Sequence, residues 1–284
     1  MTSDNAEPEG RVEAASQPRA EIGVIAGTGF YSWLDVAQPV AVDTPFGAPS
    51  EPPLLGQVAG RRVAFLPRHG RDHRLPPHRI NYRANLWALR ALGVRQVLAP
   101  CAVGSMLPEL GPGSLVVPDQ VVDRTWGRGH TVYDGEGPVV HVAFADPYCP
   151  RGRRAVLGAA RDARWWPRDG GTLVVVNGPR FSSRAESRWH AAVGGSIVGM
   201  TAMPEASIAR ELALCYTSVA VVTDLDAGID TGEGVTHAEV MAVFGASVER
   251  LKSVMAAAVS ALPSDDDCPC RHALDGLTLP FELP

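Results

Sequence analysis

Short apolar runs, bounded by glycines and polar residues, alternate along this chain with longer stretches whose apolar positions fall four apart. Glu21–Ala26 reads as a buried first strand and runs directly into Gly27-Thr28-Gly29. Arg62–Leu66, Gln96–Ala99, Leu115–Val117, Thr172–Val176 and Thr217–Val222 read as further short strands. In Ile80–Leu92 the residues Ile80, Ala84, Ala88 and Leu92 recur every fourth position, and Gly93 stops the run. Arg151–Arg164, Ser183–Val193 and Glu205–Leu214 read as helices as well. Thr236–Leu262 is the longest, with Thr236 as its cap and Glu239 completing a capping box. Strands alternating with helices predict a single α/β domain of three layers, α/β/α.

The ends follow neither pattern. Residues 1–20 are rich in Glu, Ala, Ser and Pro without periodicity and read as a disordered tail. The domain is expected over 21–262. The segment 263–284 is rich in Asp, Cys and Pro, then apolar at Leu277–Leu283, and is expected to pack on the body or on a neighbouring subunit.

Composition narrows the function. Hydrophobic residues make up 45% and charged residues 20% of the 284, the balance of a globular domain in water. A net charge of −5 with no basic block argues against nucleic acid as a partner. No apolar run approaches the ~18 residues of a membrane span. The N-terminus lacks a basic region followed by an apolar stretch, so a secretory signal is not expected. The five cysteines are an odd number, and three lie in apolar or structured contexts, which points to a reduced, cytoplasmic protein.

The candidate chemistry sits where strands end. Val219–Val222 leads into Thr223-Asp224-Leu225-Asp226, and acids two apart at a strand end can point the same way. Such a pair can offer one acid as proton donor and the other as acceptor to an amino-heterocycle. A calcium-type loop or a solvated turn is the alternative. Arg68 and His69 follow the strand ending at Leu66, and an arginine there can fork onto two oxygens of an anion. His69 and His73 also admit a zinc reading, although no third ligand is evident. Gly27-Thr28-Gly29 can turn backbone N–H groups and a hydroxyl toward an anion, or be a plain tight turn. Cys101 reads as a small residue lining a pocket rather than as a nucleophile. Phe181 can stack on a flat ring. Met200 can floor the ring, Thr201 offers a hydroxyl, and Glu205 can orient a neighbour. Core packing is the alternative for each. Cys268-Pro269-Cys270 resembles a fragment of a metal site but reads more simply as a free or redox-labile pair.

Taken in order, these segments resemble the trimeric purine nucleoside phosphorylase and 5′-methylthioadenosine phosphorylase family, and most closely its methylthioadenosine branch. The resemblance rests on Gly27-Thr28-Gly29-Phe30, Arg68-His69-Gly70, Asn81-Tyr82-Arg83-Ala84-Asn85, Gly178-Pro179-Arg180-Phe181-Ser182, Gly199-Met200-Thr201 and Thr223-Asp224-Leu225-Asp226. It spans roughly residues 21–260 and implies a mixed, partly barrel-like central sheet. It implies phosphorolysis of purine nucleosides in purine salvage, with inorganic phosphate as co-substrate and no metal or organic cofactor. Thr28, Arg68, His69, Ala102 (through its backbone N–H) and Thr201 would hold phosphate. Phe181 and Met200 would hold base and ribose. Asp224 would face the purine N7 and Asp226 the 6-amino group. His237, Val240 and a neighbouring subunit's His141 would surround the 5′ group in a homotrimer or a dimer of trimers.

Three positions depart from that branch. Ala227-Gly228 stand where it carries Cys-Trp, Cys101 where a Thr often touches phosphate, and His237 where an apolar residue receives the thiomethyl group. A polar donor at His237 prefers a hydroxyl or a small electronegative 5′ group over thiomethyl. A 6-oxopurine phosphorylase, a water-using nucleosidase and an idle nucleoside-binding protein are the other readings.

Overall fold

Strict alternation of apolar side chains along the central strands sorts the core into two faces. Ile25, Ala64, Leu66, Val97, Ala220 and Val222 point to one side, where they meet Leu86, Leu89 and Ile208 from helices. Ile22, Val24, Phe65, Leu98, Val219 and Val221 point to the other, against Val156, Leu251, Met255 and Val259. A sheet buried on both faces requires near-continuous apolar strands, and that is what the short runs supply.

The computed structural model describes residues 19–27, 29–30, 33–228, 236–264 and 267–284. The described residues form eleven strands: Ile22–Ala26 (β1), Asp35–Pro39 (β2), Leu54–Val58 (β3), Arg61–Pro67 (β4), Gln96–Ser105 (β5), Leu115–Val117 (β6), Gln120–Arg124 (β7), Arg168–Asp169 (β8), Thr172–Val176 (β9), Gly195–Gly199 (β10) and Cys215–Leu225 (β11). They also form five α-helices: Tyr82–Ala91 (α1), Pro150–Asp162 (α2), Arg184–Ala192 (α3), Ala202–Glu211 (α4) and His237–Ala261 (α5). The strands make one mixed sheet ordered β2-β3-β4-β1-β5-β10-β9-β7, from which β11, β6 and β8 branch off β5. The three-layer expectation holds. α1 and α4 cover one face, and α2 and α5 cover the other.

The branch at β5 matters most for the site. One edge of β5 pairs with β1 over Gln96–Leu98 and with β10 over Gly104 and Ser105. Between those ladders, residues 99–103 have neither neighbour on that edge. The other edge pairs with β11 along nearly the whole strand, from Gln96↔Cys215 to Ser105↔Leu225. The expected strands Gln96–Ala99 and Thr217–Val222 are therefore too short. Pro100 to Ser105 continues β5 as strand, and β11 runs on through both Thr223 and Asp224.

Helix ends follow local chemistry. Thr236 Oγ1 accepts from Glu239 N–H, while Glu239 Oε2 accepts from Thr236 N–H at 3.0 Å, so the capping box of α5 is present. Ser183 and Glu186 do the same for α3. The helix expected over Glu205–Leu214 begins at Ala202 and ends at Glu211, because Ala213 adopts a positive φ of 49° that no helix continues through. Residues 1–18 lie outside the described residues. Ala20, expected in the tail, is buried and bonds its N–H to Leu92 O at 3.0 Å. The C-terminal segment lies on the body, with Phe281 stacked on Tyr133 at 5.3 Å.

Candidate active site

The carboxyl ends of β1, β4, β10 and β11 and the open edge of β5 surround one cavity of about 400 Å³. Crevices outside strand ends are where α/β sheets bind ligands, and the volume suits a small organic molecule. Arg68, His69, Ala102 and Thr201 line one part of it. Asp224 and Asp226 line another, with Phe181 and Met200 alongside. His237 and Val240, on the first turn of α5, complete the wall. Thr28 lies outside the described residues. His141 is exposed and is not part of this cavity in its own chain.

The acid pair is built by an interrupted ladder. The β11–β5 register slips between Val222 and Asp224, which turns the strand end toward the cavity. Thr223 Oγ1 donates to Asp224 Oδ2 at 2.8 Å and fixes that carboxyl. Burial pushes Asp224 up to about 6, against the Thr223 bond and with help from the charge of Asp226. Burial also raises Asp226, opposed by the nearby hydroxyls of Ser187 and Ser182. Asp226 Oδ2 is buried and finds no partner among the described residues. No ion-binding loop is needed to account for the two acids. The smallness of Gly104 is part of the construction, because a Cβ there would meet Asp224 Oδ1 at 2.8 Å. Gly104→Ala is expected to displace that carboxyl and lower kcat at least tenfold, at a stability cost of roughly 1–3 kcal/mol. Steady-state rates beside a urea unfolding curve would separate the two effects.

Across the cavity the arginine is arranged differently from the expected fork. Arg68 Nε donates to Glu205 Oε2 at 2.8 Å and Nη2 to Glu205 Oε1 at 2.9 Å, so the fork is spent on a buried carboxylate. Nη2 also donates to Ile25 O and Nη1 to Pro100 O, and Tyr216 OH donates to Glu205 Oε1 at 2.7 Å. Of the five guanidinium hydrogens, four are taken among the described residues and one on Nη1 remains for a ligand. Burial alone would lower the Arg68 pKa, but the charge and hydrogen bonds of Glu205 outweigh it and raise it. The expectation that Glu205 orients a neighbour identifies its place, and the neighbour is Arg68.

His69 Nδ1 lies 2.8 Å from Leu75 O, so that nitrogen carries the hydrogen. Burial, opposed by this bond and aided by Arg68, lowers the ring to about 4. A neutral ring with Nδ1–H presents Nε2 as an acceptor, suited to a P–OH rather than a P–O⁻ group. The zinc reading of His69 and His73 fails on geometry. The rings stack face to face at 4.3 Å and 13° instead of converging on an ion. Burial, then the nearby His237, lowers His73. Cys101 lines the cavity with its thiol 3.7 Å from Ser218 Oγ, and burial raises its pKa, which makes it a poor nucleophile.

Sequence reasoning missed Tyr216, which braces Glu205, and Met241 and Phe244, which extend the α5 wall. The last two were findable. His237, Val240, Met241 and Phe244 fall at i, i+3, i+4 and i+7 on one helix face.

An α/β sheet with a cavity at its strand ends, carrying an anion-suited end and an acid pair, defines a class of group-transfer enzyme acting on a heterocyclic substrate. The family described as Phosphorylase superfamily matches residues 21–260, and the chain belongs to it. It is 63% identical over 95% of its length to the whole of a purine nucleoside phosphorylase from Streptomyces coelicolor. It is 53% identical to the S-methyl-5′-thioadenosine phosphorylase of Mycolicibacterium smegmatis, covering 93% of this chain and 99% of that one. Among solved structures, a methylthioadenosine phosphorylase from an Antarctic soil metagenomic library superposes with a TM-score of 0.85 at 37% identity, covering 90% and 91% of the two chains.

Proposed function

We propose that this chain cleaves the glycosidic bond of purine nucleosides with inorganic phosphate, releasing the free base and a ribose 1-phosphate. The preferred substrate is a 6-aminopurine nucleoside, 5′-methylthioadenosine or a related 5′-deoxyadenosine. The observation that carries this is the pair of half-buried Asp224 and buried Asp226 in one cavity with Arg68, His69 and Thr201. Bond cleavage leaves positive charge on the ribose and negative charge on the base. A phosphate anion held by Arg68, Thr28, Thr201 and the Ala102 N–H stabilises the first. His69 Nε2 accepts the phosphate hydroxyl and so orients it. Asp224, which burial raises to about 6 so that part of it stays protonated near neutral pH, delivers a proton to N7 as the base leaves. Asp226 accepts from the 6-amino group, for which its unpartnered Oδ2 is suited. Phe181 and Met200 hold base and ribose between them. The chemistry needs no metal or organic cofactor.

The active form in this proposal is a homotrimer, or a dimer of trimers, in the cytoplasm. Val139 and Trp126 stand bare on the surface, and cover by a neighbour would carry the nearby His141 into the next cavity. All five cysteines are free thiols, in keeping with a reducing compartment.

The test follows free base from 5′-methylthioadenosine, adenosine, inosine and methylthioinosine, each with and without phosphate. Phosphate-dependent release of adenine is the expected result. Release that ignores phosphate would make the protein a nucleosidase, and hypoxanthine release alone would move it to 6-oxopurines. The 5′ preference turns on His237, whose side chain is exposed at the cavity wall. His237→Leu is expected to shift the methylthio-to-hydroxyl ratio of kcat/KM roughly 10-fold or more toward methylthio, with little change in kcat for either base. An unchanged ratio would remove His237 from the 5′ pocket.

A further inference from the structure

Three distant stretches of the chain bring four thiols to one point. Cys149 caps the N-terminus of α2, Cys215 opens β11, and Cys268 and Cys270 lie on a short 3-10 turn in the C-terminal segment. Their sulfurs all lie within 4.8 Å of one another, and all four residues are buried. The cluster forms a patch of its own, apart from the two main faces of the core. None of the four lines the cavity described above.

We propose that Cys149, Cys215, Cys268 and Cys270 form a tetrathiolate site for a structural divalent metal ion, zinc foremost. Four ligands at about 2.3 Å from a tetrahedral ion place their sulfurs about 3.8 Å apart. Cys149 Sγ and Cys268 Sγ stand 3.6 Å apart. A disulfide would require about 2.0 Å, and all four sulfurs are free thiols. A soft, closed set of four sulfurs with no carboxylate or imidazole selects zinc over calcium or magnesium.

The surroundings suit a negatively charged centre. Gly152 N–H points at Cys149 Sγ at 3.5 Å, the kind of second partner that orients a thiolate ligand. Arg95, whose carbonyl accepts the N–H of Cys215, sits near Arg90 and Arg271. The ion would tie the C-terminal segment to α2 and β11, and its ligands lie away from the acid pair and the arginine. This proposal departs from the metal-free expectation and is independent of the reaction assigned to the cavity.

The test uses the full chain, expressed with zinc in the medium and purified without chelators or reductants. Elemental analysis is expected to give one zinc per chain. X-ray absorption is expected to show four sulfur neighbours at about 2.3 Å. Titrating the thiols with a mercurial should release that zinc once four are consumed. C270S is expected to lose the zinc and to raise hydrogen exchange over 267–284, while C101A keeps a full complement. If C270S fails to fold, the native chain still decides the matter. A metal-free chain showing a single titratable thiol when denatured would mean two disulfides and would overturn the proposal. Five thiols, no zinc and no cobalt–thiolate absorption on adding cobalt(II) would overturn it equally.

Discussion

Asp224→Asn is expected to lower the rate of base release by roughly 10²–10⁴-fold at saturating substrate. The amide keeps the shape and can still donate a hydrogen bond to N7, but it has no proton to give up. The pH profile makes the prediction specific. Asp224 is raised to about 6, chiefly by burial. Its protonated form dominates below that value and is lost as pH rises through it. With phosphate saturating, kcat/KM for the nucleoside should therefore fall on the basic side with an apparent pKa near this value. That limb belongs to the acid pair jointly, because Asp226 contributes to the shift. In the Asn variant the limb should disappear along with most of the rate. A variant that keeps the limb at reduced amplitude would place the proton donor elsewhere. A variant that keeps the rate would show that the hydrogen bond suffices.

Glu205→Gln carries the largest expected effect on stability. Arg68 and Glu205 are 2% and 0% exposed, and removing one charge of such a pair leaves the other buried and uncompensated. The cost is on the order of 3–5 kcal/mol, a large share of what a domain has. Tyr216 OH would also lose a charged acceptor. The sign of the phosphate effect distinguishes this network from ordinary packing. In the native chain Arg68 is already neutralised by Glu205, so phosphate finds one spare N–H and little net charge. In the variant, phosphate becomes the counter-charge. Urea unfolding with and without phosphate should then show a larger increment for Glu205→Gln than for the native protein. Equal increments would mean that Arg68 does not touch phosphate.

α5 and its capping box follow from Thr236 and Glu239, α1 from four-apart apolar spacing, and β1 from an apolar run ending in glycine. β2, β3, β7, β8 and β10 are not among the expected strands. β2 and β7 carry Asp35, Gln38, Gln120 and Asp123, which mask any alternation. β5 and β11 were cut short for a different reason. Pro100, Gly104 and Asp224 discourage a strand on local grounds, and long-range pairing between the two overrides that preference. The site was legible as a set of strand-end motifs because each carries a residue type that packing alone does not explain. What the sequence could not convey was pairing across distance. The spending of the Arg68 fork on Glu205 joins residues 137 positions apart. The meeting of Cys149 with Cys268 joins residues separated by 119.

β5 sets a length as well as a surface. Arg68 is anchored to Pro100 O, and Asp224 rests against Gly104. Those two points are four residues apart on one straight strand, about 13 Å at the rise of β-structure. The strand thus acts as a ruler between the anion end and the base end of the cavity. Loops at the rim can lengthen or shorten without altering that spacing. A single residue inserted between Cys101 and Val103 would change it by about 3.3 Å and reverse which side chains face the cavity. Between these two anchors, at 101–103, the chain therefore tolerates a change of residue far better than a change of count.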